Sequence, residues 1–546
     1  LTLEGPIIKD KTSFIVSGRR TYIDVLAKPF ISKSFEENGS EGGSGYYFYD
    51  LNAKVNHKFS DKDRLFLSFY GGEDKFYFNE KDNRDVIQDY YNNRFGWGNI
   101  TTALRWNHVW TPKLFSNTTA TYSRYNLNFG ADYGTIDTGE DQEDRISLNY
   151  VSGIDDLAAK IDFDYLPNPD HFVKFGASII HHNFKPGIFD LDQIDESSGY
   201  EFSAQIGQQN IAAQEIAAYI EDDVEITDKL KMNIGLHASS FIVKGKGYHS
   251  LQPRLGARYL LPDDYSIKGS FSTMRQYVQL LAFEGIGLPT DLWLPTTDRV
   301  KPQDAWQVAL GAAKSVANDY EVSAEMYYKK MSNLIAYKDG EGLFAANDWQ
   351  DRITQGDGKS YGMELFVQKK TGRLSGWVGY TLAWSTRQFD DLNFGNEFAY
   401  RYDRRHDLSI VASYELSDKI NMSSSWVYGT GNAVSLAESQ YIGAYNINLP
   451  YGNTFSGSNF SERNNYRMRS YHRMDIGINF VKKRKNYERT WSFGAYNAYS
   501  RQNPFFIFTD ADYTTDPDTG LVEHRTVIKQ ASLFPIIPYV TYSIDF

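Results

Sequence analysis

Apolar and polar residues alternate with a period of two along almost all of this 546-residue chain, and no other feature constrains its fold as tightly. In "LKMNIGLHAS", Leu230, Met232, Ile234, Leu236 and Ala238 fall on one face, and Lys231, Asn233, Gly235, His237 and Ser239 on the other. "YDLNAKVNHKF" divides in the same way, with Leu51, Ala53, Val55 and Phe59 opposite Asp50, Asn52, Lys54, Asn56 and Lys58. "YEVSAEMYY" sets Val322, Ala324 and Met326 against Glu321, Ser323 and Glu325. A period of two is that of a β-strand with one dry and one wet face.

No run of about eighteen apolar residues occurs, so the chain has no α-helical membrane span. A membrane β-barrel needs apolar residues only at every second position. Mean hydropathy of -0.51 beside 16% aromatic residues fits such a barrel. The net charge of -12 leaves no basic face for nucleic acid. The absence of cysteine removes disulfides, thiolate nucleophiles and cysteine metal sites.

The connections come in two kinds. Short turns stand at 9–11, 60–63, 111–113, 168–170, 227–229, 262–264, 370–373 and 417–419. Long polar loops are expected at about 25–45, 80–96, 129–143, 187–210, 284–301, 338–358, 388–402 and 435–465. Short turns at one rim and long loops at the other are the pattern of an outer-membrane barrel. The expected fold is thus all-β: one antiparallel transmembrane barrel over residues 1–546, of about 22 strands, with turns in the periplasm and loops outside. Barrels of that size are plugged transporters rather than porins. A propeller would repeat every 40–50 residues or so, and no such repeat occurs. Sandwich strands are shorter than these segments.

Ile100, Leu104, Trp106 and Trp110 share a face, as do Val378, Tyr380, Leu382 and Trp384, and both sets are expected to meet lipid with aromatics near the interfaces. The opposite faces carry charge. Glu221, Asp223 and Glu225 are in phase; so are Asp403, Arg405 and Asp407; so are Arg467, Arg469, Arg473 and Asp475. With Arg19, the residues Glu221, Asp223, Glu225, Arg405, Arg467, Arg469 and Arg473 are candidates for hydrating the lumen or holding an internal domain by ion pairs. The last strand, "YVTYSIDF", alternates to a terminal Phe and resembles the signal read by the barrel-assembly machinery.

Catalytic chemistry is missing. There is no Walker loop, H-E-x-x-H or G-x-S-x-G. His181 and His182 are neighbours on a strand and point to opposite faces, so they cannot chelate together. His406 is in phase with Leu408 and Ile410, as an interfacial histidine would be. The chain is therefore expected to be a non-enzyme with no cofactor and no metal site.

"LTLEGPIIKDKTSFIVSGRRTYIDVLAKPF", "DLWLPTTDRVKPQDAWQVALG", "GKSYGMELFVQKKTGRLSGWVGYTLAWS", "YDRRHDLSIVASY", "NAYSRQNPF" and "SLFPIIPYVTYSIDF" resemble segments of TonB-dependent outer-membrane receptors of the Bacteroidetes. The resemblance runs in order along the whole chain. It implies a 22-stranded barrel in the outer membrane of a Gram-negative cell, closed by an N-terminal plug that follows a TonB box. On that basis the chain begins after the plug and part-way along strand one, with Leu1 and Leu3 facing lipid and the segment pairing with the last strand.

The resemblance further implies energised import. A ligand binds the outer loops and plug, the TonB complex pulls from the periplasm through the plug region, and the ligand crosses the barrel. The ligand class stays open among siderophore, cobalamin, oligosaccharide and peptide. Trp293 and Trp349, taken as exposed, and Tyr441, Tyr445, Asn446 and Tyr451 in the loop 435–465 are the candidate ligand contacts. The expected partners are membrane lipid and lipopolysaccharide, the chain's own plug, the TonB complex, and surface lipoproteins or other outer-membrane assembly subunits. Two alternatives remain: a receptor-like barrel used as a scaffold in an assembly, and a passive pore.

Overall fold

A computed structural model describes the chain except for residues 38, 85, 208–209, 283–290, 318, 342–347, 445–453, 516–521 and 546. Among the described residues one antiparallel sheet holds 23 strands, paired in chain order except at two places. Two of these are short pieces. Tyr200–Gly207 pairs with the distal half of His171–Asp195, whose proximal half pairs with Ile211–Thr227, so the two share one position in the wall. Phe398–Ala399 likewise shares a position with His406–Ser417 beside Leu374–Gln388. Twenty-one staves remain.

That odd number overturns one expectation. Thr2–Ile8 pairs with Thr12–Arg20, and Ile537–Asp545 pairs with Glu488–Tyr496; among the described residues the first and last strands do not pair with each other. Successive staves alternate in direction, so the first and the twenty-first run the same way and cannot form an antiparallel ladder.

Three of the expected long loops are strand. Asp63–Arg84 continues into Ile87–Thr111 through a tight connection. Leu114–Asp137 and Gln142–Asn168 stay paired to Asp137↔Gln142, and His171–Asp195 to Asp195↔Tyr200. These hairpins of 22–27-residue strands rise beyond the membrane, where water on both faces permits polar strands, so polarity alone does not mark a loop. The segment expected as a loop at 25–45 contains an α-helix, Ile23–Glu37.

The alternation sorts the wall as expected. Leu104, Trp106 and Trp110 are exposed on one face of their strand, and Trp97, Asn99 and Thr101 alternate with that set on the other. Trp306, Tyr328, Tyr361 and Trp384 form an aromatic band across four consecutive strands near the loop rim, with ring centroids 5.4, 6.3 and 5.3 Å apart. Near the turn rim, Trp106, His108 and Trp110 follow one another at 5.2 and 4.5 Å, and Trp491 meets Tyr542 at 4.6 Å. These two belts are the interfacial girdles of a membrane barrel. His406 sits in the upper one, 2.9 Å from the Tyr380 hydroxyl. His181 is exposed while His182 is buried, on opposite faces as the strand period requires.

The buried core lies inside the wall, under an inward-folded strap. The connection 277–302 forms a hairpin, Val278–Leu281 with Leu292–Pro295, whose Leu281, Leu292 and Leu294 are fully buried. They pack on Leu127, Tyr150, Tyr337, Trp349 and Ile353. Tyr277 joins Ile154, Phe184, Ile211 and Phe241. Each buried leucine contributes about 2 kcal/mol. Polar ties complete the seating: the Tyr277 hydroxyl lies 2.9 Å from Ser239 Oγ, Tyr248 Oη donates to the Thr297 carbonyl at 2.6 Å, and Gln279 Nε2 donates to the Lys301 carbonyl at 2.9 Å.

Candidate functional site

Loops at the outer rim enclose a cavity of about 580 Å³. Lys338–Glu341 reach it from the end of Tyr320–Tyr337, and Asp390, Asp391, Asn393 and Phe394 from the end of Leu374–Gln388. Phe460–Arg463 and Ser435 come from the connection between Ile420–Gly429 and Tyr471–Lys483. Arg463 ties the three together. Its Nη1 pairs with Asp339 Oδ1 at 2.9 Å, its backbone N–H donates to Asn393 Oδ1 at 2.8 Å, and its guanidinium lies 5.7 Å from the Phe398 ring centroid. Thr354 Oγ1 donates to Asp391 Oδ2 at 2.9 Å.

Phe394 stands out on this rim. It is 89% exposed, and its backbone has φ 56° and ψ 30°, with Asn393 before it at φ 52°. Two consecutive non-glycine residues in the left-handed region are costly and persist where the surroundings fix them. Here Gln388 Nε2 donates to the Gly395 carbonyl at 2.9 Å, and Arg463 holds Asn393. The result is a bare aromatic ring presented at the edge of the cavity.

The sequence-derived candidates fall in different places. Trp349 is not exposed: it is 2% accessible and packed beneath the strap. Trp293 is half-buried in the strap itself. The polar neighbours that suggested open loops sit on segments folded into the lumen. Tyr441 is exposed on the hairpin Ser439–Ala444 and Thr454–Asn459, away from the cavity lining. Tyr445, Asn446 and Tyr451 lie outside the described residues.

The charged candidates are mostly paired with each other's neighbours. Arg19 binds Asp50 and lies 5.1 Å from the Phe48 ring centroid. Glu221 and Asp223 share Lys174 at 3.8 and 4.0 Å, and Glu225 binds Lys231. Arg405 and Arg467 converge on the buried Asp403, which also accepts the Ser385 backbone N–H at 2.7 Å. Arg473 pairs with Asp475 at 3.0 Å and donates to Tyr496 Oη at 2.7 Å. Arg469 is exposed. The expected single ladder from Arg467 to Asp475 is broken: Tyr466–Arg467 pairs with Ala433–Val434, and the barrel strand begins only at Tyr471.

Sequence reasoning missed Phe394, Asn393, Arg463 and Asp339. The "NFG" at 393–395 was the available signal, since Asn and Gly tolerate the left-handed backbone. The geometry suits non-covalent capture. Among the described residues no three metal-ligating side chains of the His, Cys, Asp and Glu types gather.

Comparison with known proteins agrees with this architecture. The ferric-catecholate import receptor Fiu of E. coli K12 shares 13% identity and superposes with a TM-score of 0.59, covering all of this chain and 79% of Fiu. The ferric yersiniabactin uptake receptor FyuA of Yersinia pestis shares 11% identity at a TM-score of 0.59, covering all of this chain and 77% of FyuA. The copper transporter OprC shares 11% at 0.57, covering 98% of this chain and 76% of OprC. At these identities the likeness concerns the fold. A comparison with curated proteins finds none that matches. Residues 29–498 match the family described as TonB dependent receptor-like, beta-barrel, whose members are outer-membrane transporters rather than enzymes. The chain belongs to the TonB-dependent receptor-like β-barrel family.

Proposed function

We propose that this barrel imports a ligand across the outer membrane with energy delivered by TonB. The observation that carries the proposal is the outer cavity of about 580 Å³ with the strained, exposed Phe394 at its edge. Strain held at an exposed aromatic suits a ligand contact better than a loop that only covers the barrel. Siderophore and copper transport by the structural neighbours supports the same reading. The inward strap argues against a passive pore, because it fills part of the lumen with a packed hairpin.

In this reading a plug domain closes the lumen and links the barrel to TonB. Transport is tested in cells offered a radiolabelled ferric catecholate, cupric ion and neutral oligosaccharides. Accumulation of one of them should stop when TonB is deleted, and accumulation that persists without TonB overturns the proposal.

A further inference from the structure

The wall of hairpins that rises above the membrane ends in an edge on each side, and the two edges differ. On one side the ladder between Thr12–Arg20 and Ser40–Lys58 stops at Arg20↔Tyr49, and the longer strand goes on to Ser40 without that partner. The helix Ile23–Glu37 packs along the rest of this edge. Thr21 Oγ1 accepts the Phe48 N–H at 3.0 Å, the Thr21 N–H donates to the Phe48 carbonyl at 3.0 Å, and Phe35 meets Phe78 with ring centroids 5.8 Å apart. On the other side stands Tyr200–Gly207. Among the described residues its only strand partner is His171–Asp195, and its second edge is bare along 8 residues. Sheet edges that avoid other chains carry proline, lysine or a cover. This strand contains neither residue, and among the described residues nothing covers it.

Its two faces are sorted. Ser203 Oγ donates to Asp192 Oδ1 at 2.7 Å and Gln205 Nε2 to Asp190 Oδ1 at 2.8 Å, so the polar face is tied back to the neighbouring strand. Tyr200, Phe202, Ala204 and Ile206 take the other face. Phe202 ends a row of cross-strand partners that runs through Tyr91, Tyr133, Ile146 and Gln193, in the inner phase of Trp97. Tyr91, Tyr133, Ile146 and Phe202 are between 38% and 43% exposed. Nearer the membrane, Ile206 ends the row of Phe95, Phe129, Tyr150 and Phe189, which packs beneath the strap. The apolar inner surface thus rises past its cover and stops at a bare edge.

A second copy of this chain does not complete the sheet. Two barrels side by side in one membrane are related about its normal, so their copies of this strand run the same way, whereas the ladder here is antiparallel. Main-chain groups along an open edge take an extended backbone. The apolar row continues onto that backbone when every second side chain is apolar. We infer that the edge of Tyr200–Gly207 is a docking site for an extended segment of a partner polypeptide, with apolar residues at alternate positions, which adds a strand to the wall outside the membrane. The inference stands apart from the import reading.

The test is hydrogen exchange of the full chain in detergent, with a ten-residue peptide of alternating valine and threonine as the probe. Amides within Tyr200–Gly207 should gain protection saturably. N-methylation of one alternate set of peptide residues should weaken binding about tenfold or more, because those N–H groups face the edge. N-methylation of the other set, which faces away, should leave binding unchanged. Phe202→Asp should weaken the peptide about tenfold with the barrel strands still protected. Equal binding by both N-methylated peptides shows apolar contact without a ladder and overturns the inference. Unchanged exchange at Tyr200–Gly207 with every peptide overturns it too. Protection that grows with protein concentration and needs no peptide makes the occupant a second copy, and also overturns it.

Discussion

Arg467 grips Asp403 from sixty-four residues further along the chain, with Nη2 on the carboxylate and Nη1 on the Asp403 carbonyl. Asp403 is 2% exposed and also receives Arg405 Nη2 at 3.2 Å and the Ser385 N–H. One carboxylate thus fastens the longest outer connection to the wall. Asp403→Ala leaves two guanidiniums without their anion, a change that costs about 3–5 kcal/mol in buried pairs. Hydrogen exchange at Ala433–Val434 and Tyr466–Arg467 should rise sharply while the barrel strands stay protected. Unchanged exchange there would show that the loop is held by other contacts.

Phe394 offers a separation of stability from function. Its φ of 56° carries a penalty of about 1 kcal/mol or more that glycine does not share. Phe394→Gly should therefore leave the melting temperature unchanged or higher, yet weaken capture of the transported ligand at least fivefold, the loss expected for about 1 kcal/mol of aromatic contact. Equal uptake by the variant would remove Phe394 from the binding surface.

The wall was legible in the sequence because a period of two is written into each strand, from Leu230 to Ala238 and from Ile100 to Trp110. The loops were less so. Polar hairpins such as Asp137–Gln142 look like loops once no lipid selects their alternation. The strap was hidden for a related reason: "LWLP" at 292–295 is equally apolar whether it faces lipid, loop or lumen, and only its partners Leu127, Tyr150 and Trp349 decide. Arg405 and Arg467 were found as charges, but their common partner Asp403 became evident only through a contact between distant segments. The expected pairing of the opening segment with the last strand was misjudged because it rests on an even strand count, which a single stave changes.

Asp195 closes an exposed hairpin tip through its own turn. Ser197 Oγ donates to Oδ1 at 2.7 Å and the Ser198 N–H at 2.8 Å. These bonds to the charged form, led by Ser197, hold the carboxyl down at about 2. A depressed folded value means the contribution is complete above the unfolded carboxylate range, near 4, and is lost as the pH falls from there through about 2. Amides at 196–200 should lose exchange protection in that window, and Asp195→Ala should be unprotected at every pH. A tip whose protection in the wild type does not change between pH 5 and 2 would refute this assignment.

The strap makes the last test, because its seating depends on apolar contact rather than on the wall's own ladders. Leu292 and Leu294 are fully buried against the inner surface, while the staves beside them keep their hydrogen bonds to each other. Leu292→Asp with Leu294→Asp would bury two unpaired carboxylates, and the hairpin can avoid that cost by leaving its seat. Amides of Val278–Leu281 should then exchange at near-solvent rates, and protease added from outside should cut within the strap. The strands Leu114–Asp137 and Gln142–Asn168 should remain as protected as before. If those wall strands open together with the strap, the hairpin is an integral part of the barrel core and not a separable element within the lumen.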